Sequence, residues 1–220
     1  MARKRAEAAA AQRSLFESGA GVLAEDERGT ITYTPGFVAA AVAEAWFQAL
    51  REGVEWKAER RRMYDRDVDV PRLTAHFRLV TAAGESAAMP AAIREAAHEV
   101  LTRTGVPFTS VGLNRYRDGR DSVAPHNDHL DELVEGFPIG LLSLGATRRM
   151  TIRSKEAPRR RLFADLESGS LLMMSYATQL HYVHGVPKVA HPVGERISLA
   201  FRVKPVRAAA EAEARRGFYR

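Results

Sequence analysis

Phe137-Pro-Ile-Gly-Leu-Leu-Ser-Leu144, Arg149-Met-Thr-Ile152, Ser170-Leu-Leu-Met-Met174 and Ile197-Ser-Leu-Ala-Phe201 follow one another closely in the second half of this chain. Each is an apolar run of strand length, and glycine, proline and charged residues separate them. That rhythm points to an all-β sandwich or jelly roll, since βαβ units would insert a helical period between successive runs. Upstream the pattern is helical. Thr34-Pro35 has the form of a helix start, with threonine as N-cap and proline in the first turn; Val38, Val42, Ala45 and Ala49 then recur at helical spacing before Gly53. Pro90 opens a second helix, with Ile93, Ala97, Val100 and Leu101 on one face and Gly105 as its stop. Ile31-Thr-Tyr33 reads as a short extended piece, and Trp46, Phe47 and Trp56 read as core. The expected class is therefore mainly β (α+β), with helices ahead of a jelly roll.

At 220 residues the chain suits one domain with a substantial core. It has no cysteine, which removes disulfides, thiolate metal sites and thiol nucleophiles and fits a cytoplasmic protein. No run of about 18 apolar residues is present, so no membrane partner is expected. A formal net charge of +6 and a pI near 9.9 suit a polyanionic partner, although an arginine- and alanine-rich composition alone produces the same balance. Residues 1–14 read as a flexible basic arm, 81–86 as a loop and 207–220 as a polar tail, flanking one domain over 15–206.

The chemistry concentrates between Asn114 and Arg202. His126-Asn-Asp128, placed on a strand, presents an imidazole and a carboxylate on one face, because strand side chains alternate with period two. A histidine from a distant strand would complete a facial triad for a divalent metal and leave positions open. His181, His184 and His191 all lie in the right region; His181 and His184, three apart, would face opposite ways on a strand. Arg196 and Arg202 are six apart, so both point to one face of an otherwise mostly apolar strand. Buried arginines need anions, and a planar guanidinium forks onto carboxylates; local ion pairs, with Glu195 for instance, would also satisfy them. His76 and His98 read as structural.

Together these residues resemble the AlkB family of iron(II)- and 2-oxoglutarate-dependent dioxygenases over about residues 60–204. The resemblance is carried by Asn114-x-Tyr116, His126-x-Asp128, Pro138-Ile-x-Leu-Leu-Ser-Leu-Gly145, Gly169-Ser-Leu-Leu-Met-Met174, His184-x-Val-Pro187 and Arg196-x-Ser-x-x-Phe-Arg202. It implies a double-stranded β-helix core over 107–206. It selects His184 as the third ligand, beside His126 and Asp128, for Fe(II), and assigns Asn114, Tyr116, Arg196 and Arg202 to the cosubstrate 2-oxoglutarate, with O2 as oxidant. The implied reaction is oxidative demethylation of N-alkylated bases in DNA, releasing succinate, carbon dioxide and formaldehyde. Such an enzyme is expected to act as a monomer, cytoplasmic and nucleoid-associated when bound to DNA.

Residues 60–80 are then expected to form a nucleotide-recognition lid. The segment mixes arginines with Met63 and Tyr64, which by themselves read as a solvated hairpin with a buried tyrosine; aligning Val70-Pro71-Arg72 with the family places Met63 and Tyr64 at a hairpin tip, as an apolar wedge for base flipping. Arg66, Arg72, His129 and Asp131 complete the expected substrate contacts. Two departures stand out. Ala200 lies where many members carry a hydroxyl between the arginines, and Leu130 lies where many DNA-repair members carry an acid four residues after the first ligand histidine. The second departure leaves room for an RNA substrate, or for a protein or small-molecule one. A non-catalytic nucleic-acid binder would need neither the triad nor the arginine pair.

Overall fold

Twelve strands and three helices make up the described residues, 21–63, 66–79 and 89–205 of the computed structural model. The expected arm, the loop over 81–86, the tail and Tyr64 lie outside them. In chain order come β1 (Gly21–Asp26), β2 (Gly29–Thr34), α1 (Ala40–Gly53), β3 (Lys57–Met63), β4 (Arg66–Arg78) and α2 (Ala91–Thr104). There follow β5 (Ser110–Tyr116), β6 (Val123–His126), a 3-10 turn (Leu130–Glu132), β7 (Ile139–Gly145), β8 (Arg148–Ser154) and β9 (Arg161–Leu166). The chain continues with β10 (Leu171–Met174), α3 (Tyr176–His181), β11 (Tyr182–Val186) and β12 (Arg196–Arg202).

The strands form two antiparallel sheets, one ordered β1-β2-β10-β7-β12-β5-β4-β3 and a smaller one ordered β6-β11-β8-β9. This is a jelly roll with one face of the large sheet covered by helices. Burial along the strands follows from that layering. β7, Ile-Gly-Leu-Leu-Ser-Leu-Gly, is buried at nearly every position because it is covered on both faces, whereas β8 alternates buried and more open residues. Parity then sorts the core. Ile197, Leu199 and Phe201 of β12 join Leu142 and Leu144 of β7 in a cluster with Ala43, Phe47, Leu50, Ile93 and Val100 of the helices. Leu141, Ala200 and Tyr116 face the other way and meet Met150, Ile152, Tyr182 and Val186 across the sandwich.

α1 corrects the expected helix start. Thr34 is still paired to Leu171 in the ladder, Gly36 takes a left-handed turn at φ 58°, and the helix begins only at Ala40. Its buried face is also rotated from the expected one, to Ala43, Trp46, Phe47 and Leu50, while Val42 is exposed. The aromatic side chains decide this, since each buries far more apolar area than the valine and alanines of the competing stripe. α2 follows the expectation, with Pro90 ahead of its first residue and Gly105 in the left-handed conformation at its end. The β7–β8 turn needs a second such glycine. Gly145 has φ 81°, and a side chain there would meet the Glu195 carbonyl and the Phe47 ring.

β3 and β4 form a hairpin at one edge of the large sheet, with Met63 opposite Arg66 at its far end. Pro71, which lacks an N–H, falls where the β3–β4 register slips, between Asp69 and Leu73, and ahead of the β4–β5 ladder that starts at Leu73. Its carbonyl accepts from the Ser122 N–H, tying the hairpin to the loop that leads into β6. Among the described residues no helix is long and apolar enough to cross a membrane.

Candidate active site

A cleft of about 860 Å³ opens between the two sheets, within the usual range for a small-molecule pocket. Its walls carry Asn114, Tyr116, His126, Asp128, His184, Arg196 and Arg202 together. The imidazole nitrogens of His126 and His184 and a carboxylate oxygen of Asp128 lie within 4.8 Å of one another. These three side chains would hold a divalent metal ion there.

Each ligand is held differently. His126 ends β6 and is paired in register with His184 of β11, with ring centroids 4.6 Å apart. Its Nδ1 lies 2.9 Å from the Ala124 carbonyl; donating there leaves Nε2 as the lone-pair nitrogen facing Asp128 Oδ1 at 4.0 Å. Gly185 lets β6 come this close, since a side chain on it would strike the Val123 carbonyl. His184 is buried, and burial together with the neighbouring His126 pushes its pKa down to about 3, so its ring stays neutral. Asp128 lies beyond the end of β6, not on it, which corrects the expectation of two ligands on one strand. Burial alone would raise its pKa, but Arg202 donates from Nε (2.5 Å) and Nη2 (3.2 Å) and keeps the carboxyl below its ordinary value. His181 closes α3 instead of lying on a strand, so strand parity does not govern it; His191 is exposed beyond β11.

The two arginines of β12 share the inner face but have separate surroundings. Six residues of strand set their backbones about 20 Å apart. Arg202 is committed to Asp128 and to the Ala200 carbonyl. Arg196 is 1% exposed and pairs with no carboxylate among the described residues. Its Nη2 donates to Ser143 Oγ at 2.8 Å, its guanidinium lies 5.1 Å from the Tyr116 ring, and its Nε and Nη1 have no hydrogen-bond partner among the described residues. Burial pulls its pKa down, an effect Tyr116 partly offsets. A buried guanidinium with two unused N–H groups is suited to an anion at the closed end of the cleft. Glu195 is not that anion, because it pairs with Arg115 at 2.7 Å. Donor set and cation together fit Fe(II) and a chelating dicarboxylate.

The other expected residues lie toward the cleft mouth or outside it. Arg72 lines the cleft and donates from Nε to Asn114 Oδ1 at 2.7 Å, linking the β3–β4 hairpin to the deeper pocket. His129 lines the mouth, and so does His76, which is expected to be structural because it has no partner pattern in the sequence. Asp131 is exposed on the 3-10 turn and Leu130 lies beside it. Glu132, one residue further, lines the cleft and accepts from Lys204 Nζ at 2.7 Å.

Three contributors were not singled out by the sequence. Ser143 holds Arg196, and the signal for it was present: a lone hydroxyl inside the apolar run of β7. Arg148 is 2% exposed and donates to the carbonyls of Asp118, Asp121 and Pro187, which fastens the loops before β6 and after β11. Gln179 accepts from the Asp128 N–H, a contact between distant segments that no local pattern announces.

Residues 30–202 match the family model described as the 2OG-Fe(II) oxygenase superfamily. DNA oxidative demethylase ALKBH2 of Bos taurus is 40% identical over 106 residues, which is 45% of this chain and 38% of that protein. Alpha-ketoglutarate-dependent dioxygenase alkB homolog 3 of Homo sapiens is 32% identical over 182 residues, 76% of this chain and 64% of that protein. The chain thus spans about two-fifths of the ALKBH2 proteins of cattle and human, and just under two thirds of alkB homolog 3. Among solved structures, that of OsALKBH1 superposes with a TM-score of 0.53 at 13% identity, covering 81% of this chain and all of that one. A Pseudomonas putida prolyl-4-hydroxylase superposes at 0.52 and 14% identity, covering 80% of this chain and 93% of that one; at these identities both speak for the fold. With residues 30–202 matched to that superfamily model, and ALKBH2 and alkB homolog 3 among its relatives, the chain belongs to the AlkB family within the 2OG-Fe(II) oxygenase superfamily.

Proposed function

We propose that this protein removes methyl groups from alkylated bases of DNA by Fe(II)- and 2-oxoglutarate-dependent oxidation. The observation that carries the reading is that His126, Asp128 and His184 converge in one cleft that is also lined by a buried arginine with unused N–H groups. His126 Nε2, an Asp128 oxygen and a His184 nitrogen would hold the iron, and Arg196 would take the far carboxylate of 2-oxoglutarate, with Tyr116 and Asn114 lining its path. Bound iron and cosubstrate supply the oxidation: dioxygen is consumed, 2-oxoglutarate becomes succinate and carbon dioxide, and an N-methyl group becomes a hemiaminal that releases formaldehyde.

The chain's own part is positional. Arg202 keeps Asp128 ionised and aimed at the triad, so the carboxylate is ready to ligate without shedding a proton. Burial keeps His184 neutral, with its lone pair available at any working pH. The apolar lining of Leu133, Leu141, Met150 and Val186 keeps water from the deep end. At the mouth, Lys57, Arg72, His76, His129 and Lys204 place positive and hydrogen-bonding groups where a phosphate backbone and an extruded base would lie. The relatives named as DNA oxidative demethylases, the net charge of +6 and the hairpin ending at Met63 and Arg66 favour nucleic acid over a protein target.

Formaldehyde release from N1-methyladenine in single-stranded DNA, duplex DNA and RNA tests the proposal. Release from DNA that requires both Fe(II) and 2-oxoglutarate is expected. Strong release from RNA with none from DNA would move the assignment to RNA. Absence of release from all three, with succinate formation intact, would move it to another class of substrate.

A further inference from the structure

The element that makes Asp128 a metal ligand is distant in sequence. Asp128 lies two residues past the end of β6, in the irregular stretch before the 3-10 turn, so no sheet ladder sets its backbone. Its N–H is instead taken by Gln179 Oε1 at 3.0 Å. The Gln179 residue is 1% exposed, and its amide can point only one way. Thr178 Oγ1 donates its proton to the Ser175 carbonyl at 2.6 Å, so toward Gln179 it can only accept. It accepts from Nε2 at 3.1 Å, which leaves Oε1 facing Asp128.

The support under this amide is fixed in turn. Ser175, just before α3, exchanges hydrogen bonds with Thr30 of β2 through its N–H and Oγ. Lys155 donates from Nζ to the Gln179 carbonyl at 2.8 Å and from its backbone N–H to the His181 carbonyl at 2.8 Å. α3 then runs directly into β11, which carries His184 two residues beyond Tyr182. One short helix therefore locates two of the three ligands, one through a side-chain amide and the other through chain continuity.

We infer that Gln179 is a positioning residue for the metal centre: its side-chain carbonyl fixes the backbone of Asp128 while Arg202 fixes its carboxylate, and the two constraints together aim the ligand. Neither alone determines the carboxylate position, because Arg202 can follow a displaced aspartate and the backbone bond leaves the side-chain torsions free. Loss of the amide acceptor leaves a buried N–H without a partner and lets the stretch 127–129 shift to satisfy it. Partners that orient ligands in this way typically change metal affinity by about 10- to 100-fold when removed.

The inference rests on the metal-site reading above, and its test separates the two. Co(II) is titrated into the full chain and followed by its visible absorption for the parent, Asp128→Ala, Gln179→Met and Gln179→Glu. Methionine keeps the length of glutamine without the acceptor, and glutamate, protonated at this buried position, keeps an acceptor toward Asp128 and a donor toward Thr178 Oγ1. Gln179→Met is expected to bind Co(II) about 10- to 100-fold more weakly, with a changed absorption envelope and a circular dichroism spectrum like the parent's, and Gln179→Glu to recover most of the affinity. Parent-like affinity and spectrum in Gln179→Met, with Asp128→Ala impaired, would overturn the role of Gln179 and leave the metal site standing. Equal losses in both Gln179 variants together with lowered melting temperatures would also overturn it, in favour of simple packing. If Asp128→Ala binds as the parent does, or the parent does not bind, the metal-site reading itself falls and the inference with it.

Discussion

Replacing Arg196 with methionine should have opposite effects on the free protein and on its complex with 2-oxoglutarate. The side chain is 1% exposed, and among the described residues only Nη2 has a hydrogen-bond partner. Exchanging a buried charge for an apolar side chain of similar length is commonly neutral or stabilising by about 1–4 kcal/mol. The Ser143 hydroxyl loses its donor, which costs about 1 kcal/mol. At about 2–4 °C per kcal/mol for a domain of this size, the free variant should melt between the parent temperature and about 10 °C above it. Nε and Nη1 are the groups left for the cosubstrate carboxylate. Two charge-assisted bonds at about 1.5–3 kcal/mol each amount to about 3–6 kcal/mol, or a 10²- to 10⁴-fold loss of affinity. Anaerobic thermal melts with Mn(II), with and without 2-oxoglutarate, measure both effects. At about 100 times its Kd the cosubstrate stabilises the parent by about 2.7 kcal/mol, and the same concentration should stabilise the variant by no more than about 0.4 kcal/mol. A variant that melts well below the parent when free, yet keeps the full 2-oxoglutarate shift, would refute the assignment of Arg196.

Other perturbations separate packing from chemistry. Phe47→Ala opens a cavity on the helix-covered side of the large sheet and should cost about 3–5 kcal/mol, a fall of about 10 °C in melting temperature, while Co(II) binding below the transition stays intact. Asp121 accepts from the backbone N–H, Nε and Nη2 of Arg117; burial alone would raise its pKa, but Arg117 holds it below the ordinary carboxylate value. A group whose folded pKa is depressed lends stability above its unfolded pKa, near 4, and loses it as pH falls through the folded value. The stability gap between parent and Asp121→Asn, about 1.5 kcal/mol because Arg117 is half exposed, should therefore be full at pH 6 and close below pH 4. A gap independent of pH would contradict this. Tyr64→Ala should lower activity on duplex substrate more than on single strands, and equal losses would remove its role as a wedge.

Much of this was legible in the chain itself, for physical reasons that differ from place to place. The apolar runs of β7, β10 and β12 announced strands because both faces of a covered sheet exclude polar side chains, and the even spacing of Arg196 and Arg202 placed both on the inner face. α2 was framed by Pro90 and Gly105, whose backbone preferences are local. Where tertiary contacts prevailed, local signals failed. Thr34-Pro35 resembles a helix start, but Thr34 pairs with Leu171 across the chain and the helix waits until Ala40. Asp128 was expected on a strand with His126, yet the strand ends first and a glutamine 51 residues away holds the aspartate. The commitment of Arg202 to Asp128 and the placement of Glu132, not Asp131, on the cleft wall depend on how loops close. Residue spacing does not encode that.

Formaldehyde and succinate measured together, from a DNA oligonucleotide carrying N1-methyladenine, test the central claim most directly. With Fe(II), 2-oxoglutarate and dioxygen, the parent should release the two products in equal amounts, and Asp128→Ala, with its carboxylate ligand gone, should release neither. Undiminished release of both products by Asp128→Ala, or formaldehyde formed by the parent without 2-oxoglutarate, would contradict it.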